Sequence, residues 1–276
     1  MTPWTDRRFA IRHRFEHGLF VRELLAGNDD GQASGTVVYV HGLGESGLCF
    51  ERLVADGRLA RWRHLVPDLP GYGKSSWPAD PEPLRQVAER LHAWLEETVS
   101  EPMTLVGHSM GGVLGQLFCE QFPDTVRAFV NIEGNLSPED GTFSAQAGAY
   151  ELSEYLAEGH ERLLATLHRQ GVDDPIVAAY VASIRMCDPR AYHLHSRELV
   201  AAGAAENLAG RMAALKISSL YVLGAPRGIC PRSRVLLEEA HLEPAVFENA
   251  GHWPFLDHPQ AFARRFAEFL DTHASA

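Results

Sequence analysis

The stretch Val106-Gly107-His108-Ser109-Met110-Gly111-Gly112 decides how the rest of the chain is read, because it sets one serine between two glycines where an apolar run gives way to a helical pattern. Residues 103–106 (Met-Thr-Leu-Val) have strand character, and residues 113–118 (Val-Leu-Gly-Gln-Leu-Phe) continue at helical spacing. A turn this tight forces the serine into a strained backbone conformation. Side chains two residues before and two after it would collide, so Gly107 and Gly111 leave room. Such a nucleophile elbow pushes the Ser109 hydroxyl out of the sheet. The helix that starts at Met110 aims free backbone N–H groups and the positive end of its dipole at the same point, which suits an oxyanion.

Working outward, residues 36–40 form a nearly continuous apolar run, the pattern of a strand buried on both faces. The type recurs at 65–66, 103–106, 126–132, 220–223 and 245–247, after two N-terminal candidate strands at 9–15 and 20–26 and a polar, Gly-rich turn at 27–35. Between these runs lie amphipathic helical patterns. Leu84, Val87, Ala88, Leu91, Trp94 and Leu95 share one face, as do Phe262, Phe266, Phe269 and Leu270. Strands alternating with helices predict an α/β fold with a mostly parallel sheet covered on both sides, and its functional residues gather beyond the carboxyl ends of the strands. The alternation breaks between 135 and 214, where only helical patterns occur (149–157, 161–169, 175–186 and 190–202). This reads as a helical cap inserted into a core of residues 1–134 and 215–276.

The 276 residues can bury a full core, and a composition of 45% hydrophobic and 22% charged residues is that of an ordinary globular protein. A net charge of −11 argues against a nucleic-acid surface, which needs clustered Lys and Arg. The N-terminus, with Trp4, Asp6, Arg7 and Arg8, lacks the apolar core of a signal peptide, and no run approaches the ~20 apolar residues of a membrane span, so a cytoplasmic location and no membrane partner are expected. Cys49, Cys119, Cys187 and Cys230 are far apart and show no metal spacing, which reads as free thiols. Neither a metal nor a cofactor is implied, and the oligomeric state is left open.

A serine hydroxyl needs a base during attack. Of the 14 histidines, His252 has the best context, in Asn249-Ala250-Gly251-His252-Trp253-Pro254-Phe255, directly after the last strand and before the terminal helix. The pair His193 and His195 lies two apart on a helical pattern, so the two rings point to different faces and make a poor metal pair. A second oxyanion donor beyond Met110 N–H is expected from His41-Gly42-Leu43-Gly44, with Leu43 N–H the candidate and His41 bonding the neighbouring loop. Residues 68–75 (Asp-Leu-Pro-Gly-Tyr-Gly-Lys-Ser) form a turn-rich companion loop whose glycine spacing does not fit a phosphate loop.

These segments, residues 41–44, 68–75, 107–111 and 251–252, taken in order, resemble the α/β-hydrolase superfamily over almost the whole chain. The resemblance implies an eight-stranded, mostly parallel sheet with a lid, a Ser, acid, His order, and an oxyanion held by the Leu43 and Met110 amides. In most members an aspartate follows the strand after the lid, about three residues beyond a glycine. Here that position holds Arg227, and no acid appears until Glu238. Glu133, at the end of the 126–132 strand, stands where haloalkane dehalogenases and zearalenone lactonase-type hydrolases carry their acid, and it is the first candidate, with Asp140 second. A carboxylate at that strand end could instead cap the turn or pair with Arg227. The dehalogenase and epoxide hydrolase reactions need an aspartate where Ser109 stands.

The expected reaction is hydrolysis of a small-molecule acyl substrate, ester before lactone or thioester, through an acyl-enzyme on Ser109 with His252 as base and Glu133 as orienting acid. Trp253, Phe255, Phe143 and Tyr150 are the candidate pocket residues. Carbon–carbon bond hydrolysis or a lyase reaction uses similar motifs, and a non-catalytic ligand-binding protein on the same fold is the reading from another class.

Overall fold

A computed structural model describes residues 9–26 and 33–274; the segment around Trp4 and most of the 27–35 turn lie outside them. Among the described residues eight strands form one sheet in the order β1-β2-β4-β3-β5-β6-β7-β8. They are β1 (Phe9–Glu16), β2 (Leu19–Ala26), β3 (Thr36–Val40), β4 (Arg63–Pro67), β5 (Met103–His108), β6 (Val126–Ile132), β7 (Ser218–Arg227) and β8 (Ala245–Gly251). β1 pairs with β2, and β2 with β4, antiparallel; the other neighbours are parallel. The mostly parallel α/β architecture read from the sequence is the one observed.

The continuous apolar runs are explained by a core on each face of the sheet. Val38, Val40, Leu105 and Phe129 join one cluster, with Trp94 and Phe118 from the covering helices. Val37, Tyr39, Val106, Val130 and Ile132 point the other way and pack with Phe255, Phe262 and Phe266. Successive strand side chains alternate faces, so a strand covered on both sides has no polar face to show in its sequence. The covering helices of the first half are α1 (Glu51–Val54), α2 (Leu84–Thr98) and α3 (Met110–Gln121).

Between β6 and β7 the chain leaves the sheet for α4 (Thr142–Gly148), α5 (Leu152–Glu154), a π-helical turn (Tyr155–Gly159), α6 (His160–Gln170), α7 (Pro175–Ile184), α8 (Pro189–Ala204) and α9 (Leu208–Ala213). α6, α7 and α8 follow the expected helical patterns. The single helix expected at 149–157 is instead the broken pair of α5 and the π turn, and α4 precedes it. α4 has no apolar stripe to betray it, since it buries only Ser144 and Ala147. After β7 come α10 (Pro231–Glu239), then β8, α11 (Pro254–Asp257) and α12 (Pro259–His273).

Phe129 sits at the centre of β6, fully buried, against α3 at Gly115, where an added Cβ would lie 2.7 Å from its ring. Truncation there removes a large side chain that close-packed neighbours cannot replace. Phe129→Ala is expected to lower the unfolding free energy by about 3–5 kcal/mol, read as a lower denaturant midpoint at unchanged m-value.

Candidate active site

Ser109 follows the last residue of β5 and caps α3 with φ +53° and ψ −118°, the strained turn expected from its glycines. A Cβ on Gly107 would lie 2.0 Å from the Gly111 carbonyl oxygen, and one on Gly111 would lie 2.0 Å from that of Val40. Both obstacles are backbone and cannot step aside, so only glycine fits. The Ser109 amide donates to the Ile132 carbonyl of β6 at 2.8 Å, fixing the turn against its neighbour strand. Ser109 is half-buried and lines a cavity of about 210 Å³ together with Gly42, Leu43, Glu133 and His252.

Met110 opens α3, so its amide is among those that a helix leaves without an intrahelical partner, and Leu43 lines the same cavity. The loop carrying Leu43 is braced from below. Buried His41 accepts from the Leu69 amide through Nε2 at 2.9 Å and donates from Nδ1 to the Gly42 carbonyl at 2.8 Å. Burial lowers its pKa, so it stays neutral, as these two bonds require. Asp68, in the companion loop, accepts from the amides of Gly47 and Lys74 and from Arg22.

Glu133 directly follows β6 with φ +54° and is 1% exposed. One carboxylate oxygen accepts from the Gly224 amide at 2.6 Å and the other lies 3.3 Å from Nδ1 of His252. No ion pair joins Glu133 to Arg227 among the described residues; Arg227 is exposed at the cavity wall. Asp140 also lines the cavity, but its carboxylate is taken up by the amides of Leu136, Ser137 and Cys230 and by the Ser233 hydroxyl. Its role is to knit the loop after β6 to the start of α10.

Of the four candidate pocket residues, Phe143 and Trp253 line the cavity. Phe255 does not: α11 starts at Pro254 and turns this ring into the core, where it is fully buried and stacks on Phe50 at 5.3 Å. Tyr150 lies against a separate surface hollow beside Gly159 and Leu163. His193 meets the Tyr150 carbonyl while His195 meets the Tyr72 hydroxyl and the Glu82 carbonyl, so the two rings do face apart. Tyr180 of α7, another aromatic residue of the insertion, lines the cavity as well, and Leu199 of α8 is an unforeseen addition.

Residues 37–265 match the alpha/beta hydrolase family. The chain belongs to that family. Its similar proteins include a pimeloyl-[acyl-carrier protein] methyl ester esterase from Chromobacterium violaceum, 32% identical over 274 residues, with 93% of this chain and 99% of that protein covered. Among solved structures, the N-acyl homoserine lactonase AidH superposes with a TM-score of 0.74 at 19% identity (97% and 98% of the two chains). A thermophilic esterase from Thermogutta terrifontis superposes with 0.75 at 17% (92% and 93%). At those identities the likeness is one of alpha/beta hydrolase fold.

One feature of this alpha/beta hydrolase was invisible in its motifs. His108, between Gly107 and Ser109, is fully buried, and its Nδ1 lies 2.9 Å from Glu45 while its Nε2 lies 2.8 Å from the His252 carbonyl. Both partners can only accept, so both ring nitrogens donate and His108 is an imidazolium. Glu45, 3% exposed, also accepts from the Gly42 amide at 2.7 Å and from Trp253 Nε1 at 2.5 Å. One buried ion pair thus ties together the Leu43 loop, the residue before Ser109 and the His252 loop. The only sequence signal was a titratable residue at the end of an otherwise apolar strand.

Burial alone would lower the His108 pKa, but the charge and hydrogen bond of Glu45, with the His252 carbonyl, outweigh it and raise the pKa above its ordinary 6.5. Burial likewise opposes ionisation of Glu45, yet His108, Trp253 and the Gly42 amide hold it at about 2. A raised histidine contributes stability that is present below its unfolded pKa and lost as pH climbs through the folded one. The lowered pKa values of His41, His64 and His195 act only on the acid side of 6.5. Denaturant midpoints of the parent should therefore fall as pH rises above about 6.5, and Glu45→Gln should flatten that slope; a slope of equal size in the variant would remove His108 as its source.

Proposed function

We propose that this chain is a serine hydrolase of carboxylic ester-type bonds. The observation that carries the reading is the strained Ser109 sharing one cavity with His252, whose Nδ1 faces the buried Glu133 carboxylate at 3.3 Å. Esterases and a lactonase among the similar proteins support it.

Ser109 Oγ attacks the carbonyl carbon while Nε2 of His252 takes its proton. Glu133, holding Nδ1–H, fixes the tautomer and stabilises the imidazolium that forms. The negative charge on the carbonyl oxygen is met by the amides of Leu43 and Met110, donors of a kind worth about 3–4 kcal/mol each in a transition state. Collapse expels the alcohol, protonated by His252, and leaves an acyl-enzyme. Water, activated by His252, then releases the acid and regenerates Ser109. The helical insertion, residues 135–214, acts as the cap: its Asn135, Phe143, Tyr180 and Leu199 line the cavity together with Ser109. Esters, lactones and thioesters offer the same electrophile, and the cap selects among them. The substrate is a small acyl compound, and the protein works in the cytoplasm without metal or cofactor.

Hydrolysis of a p-nitrophenyl acetate to butyrate series tests the assignment. Ser109→Ala should lower kcat by ~10⁴-fold or more and Glu133→Gln by ~10²-fold or more, at little cost in KM, whereas Asp140→Asn stays within about threefold of the parent. Full activity in Glu133→Gln would assign the acid elsewhere.

A further inference from the structure

The cavity at Ser109, about 210 Å³, is smaller than the ~300–1,000 Å³ of most small-molecule sites, so it holds the ester group and little more. Behind its wall lies a second hollow of about 450 Å³ between the residues after β3 and helix α7. Leu48, Ile176, Met186 and Leu256 make this hollow largely apolar, and Leu48 and Met186 are exposed there. The two spaces share three residues: Glu45, Tyr180 and Trp253 line both. These shared side chains form the partition between the two spaces. Its main panel is the Trp253 indole, held by the Nε1–Glu45 hydrogen bond and by the Tyr180 ring at 5.9 Å.

We propose that this hollow binds the straight alkyl chain of the ester substrate, and that the Trp253 indole swings aside to let the chain through. The inference rests on the ester-hydrolase reading above and deepens it by naming the substrate class: esters that carry an unbranched apolar chain. Two observations favour such an occupant. An apolar hollow that adjoins the Ser109 cavity through shared side chains buries methylenes that would otherwise sit in water at the mouth of the small cavity. The base also has anchors of its own beside this wall: the His252 carbonyl accepts from His108 Nε2 and the His252 ring meets Glu133, while the indole touches that ring edge-on at 5.1 Å. An indole rotation breaks the hydrogen bond to Glu45 and the ring contacts with His252 and Tyr180, and leaves those two hydrogen bonds in place.

The test fills the hollow from its far side. Ala179 and Ala182 line it from exposed positions on α7, so Ala179→Trp and Ala182→Trp obstruct it without touching the core or the residues around Ser109. In the Ser109→Ala background, calorimetric titration should show methyl octanoate or octyl acetate binding at least about tenfold more tightly than methyl acetate, and either tryptophan should abolish that gain. Which of the two long esters gains identifies the acyl or the alcohol arm as the occupant. In the active enzyme the same substitutions should cut kcat/KM for the favoured long ester about tenfold or more while p-nitrophenyl acetate stays within about twofold. Equal binding of long and short esters, or a gain that survives both tryptophans, overturns the proposal. Those binding results stand whether or not p-nitrophenyl acetate is turned over, and loss of its turnover in the parent would count against the hydrolase reading alone.

Discussion

Everything at this site depends on how closely three strands and one helix approach each other at Ser109. A Cβ at Gly107, Gly111 or Gly112 would meet the Gly111 carbonyl, the Val40 carbonyl or the Asn131 side-chain oxygen at 2.0, 2.0 and 2.2 Å. At Gly107 and Gly111 the obstacles are backbone, so β3, β5 and the first turn of α3 lie nearly in contact, and the Asn131 side chain of β6 closes the space beside Gly112. The approach lets the Ser109 amide reach the Ile132 carbonyl and brings the Leu43 loop beside the helix amides. A non-glycine residue held at positive φ costs roughly 1–3 kcal/mol, and it persists only where its surroundings over-determine it. Ser109 and Glu133 are both in that state, at the ends of adjacent parallel strands.

The placement of the acid follows from the same packing. β7 continues to Arg227, and a Cβ at Gly228 would lie 2.2 Å from Glu133 Oε1 and 2.3 Å from the Gly224 carbonyl. The end of β7 therefore packs directly against the Glu133 carboxylate. With Gly224 N–H and His252 as partners, the buried carboxylate is compensated on both oxygens, which a charge at 1% exposure requires. Arg227 points its charge to solvent instead. The end of β7 carries Arg227, while a buried carboxylate, Glu133, stands at the end of the neighbouring β6.

What could be read from the sequence was what local physics dictates. β3 and β6 appear at their full spans because apolar runs bounded by turn residues need no distant information, and the elbow was legible because only glycine tolerates the approach at 107 and 111. β5 and β7 ran longer than their apolar cores, ending on His108 and Arg227, since sheet hydrogen bonding continues past the hydrophobic pattern. The Glu45–His108 pair was out of reach: its partners are 63 residues apart, and neither belongs to a periodic pattern. Phe255 and Tyr150 show the converse limit. Nearness to His252 or to the insertion does not say which way a ring turns, and Pro254 at the start of α11 turns Phe255 inward.

Two buried carboxylates flank the His252 segment, and their different company explains how they coexist. Glu45 is matched by an imidazolium, so that pair is close to neutral and adds little field to the cavity, while its hydrogen bonds fix three loops. Glu133 accepts from the Gly224 amide on one oxygen and faces His252 Nδ1 with the other, and its charge also acts on His108. Were Glu45 unpaired, its charge would repel Glu133 across the same rings, since His108 and His252 lie 4.9 Å apart. The His108 proton therefore does two things at once: it holds the segment after β8 by the His252 carbonyl, and it neutralises Glu45. The same loop is also held by its side chains, since the Trp253 indole donates to Glu45 and the His252 ring meets Glu133.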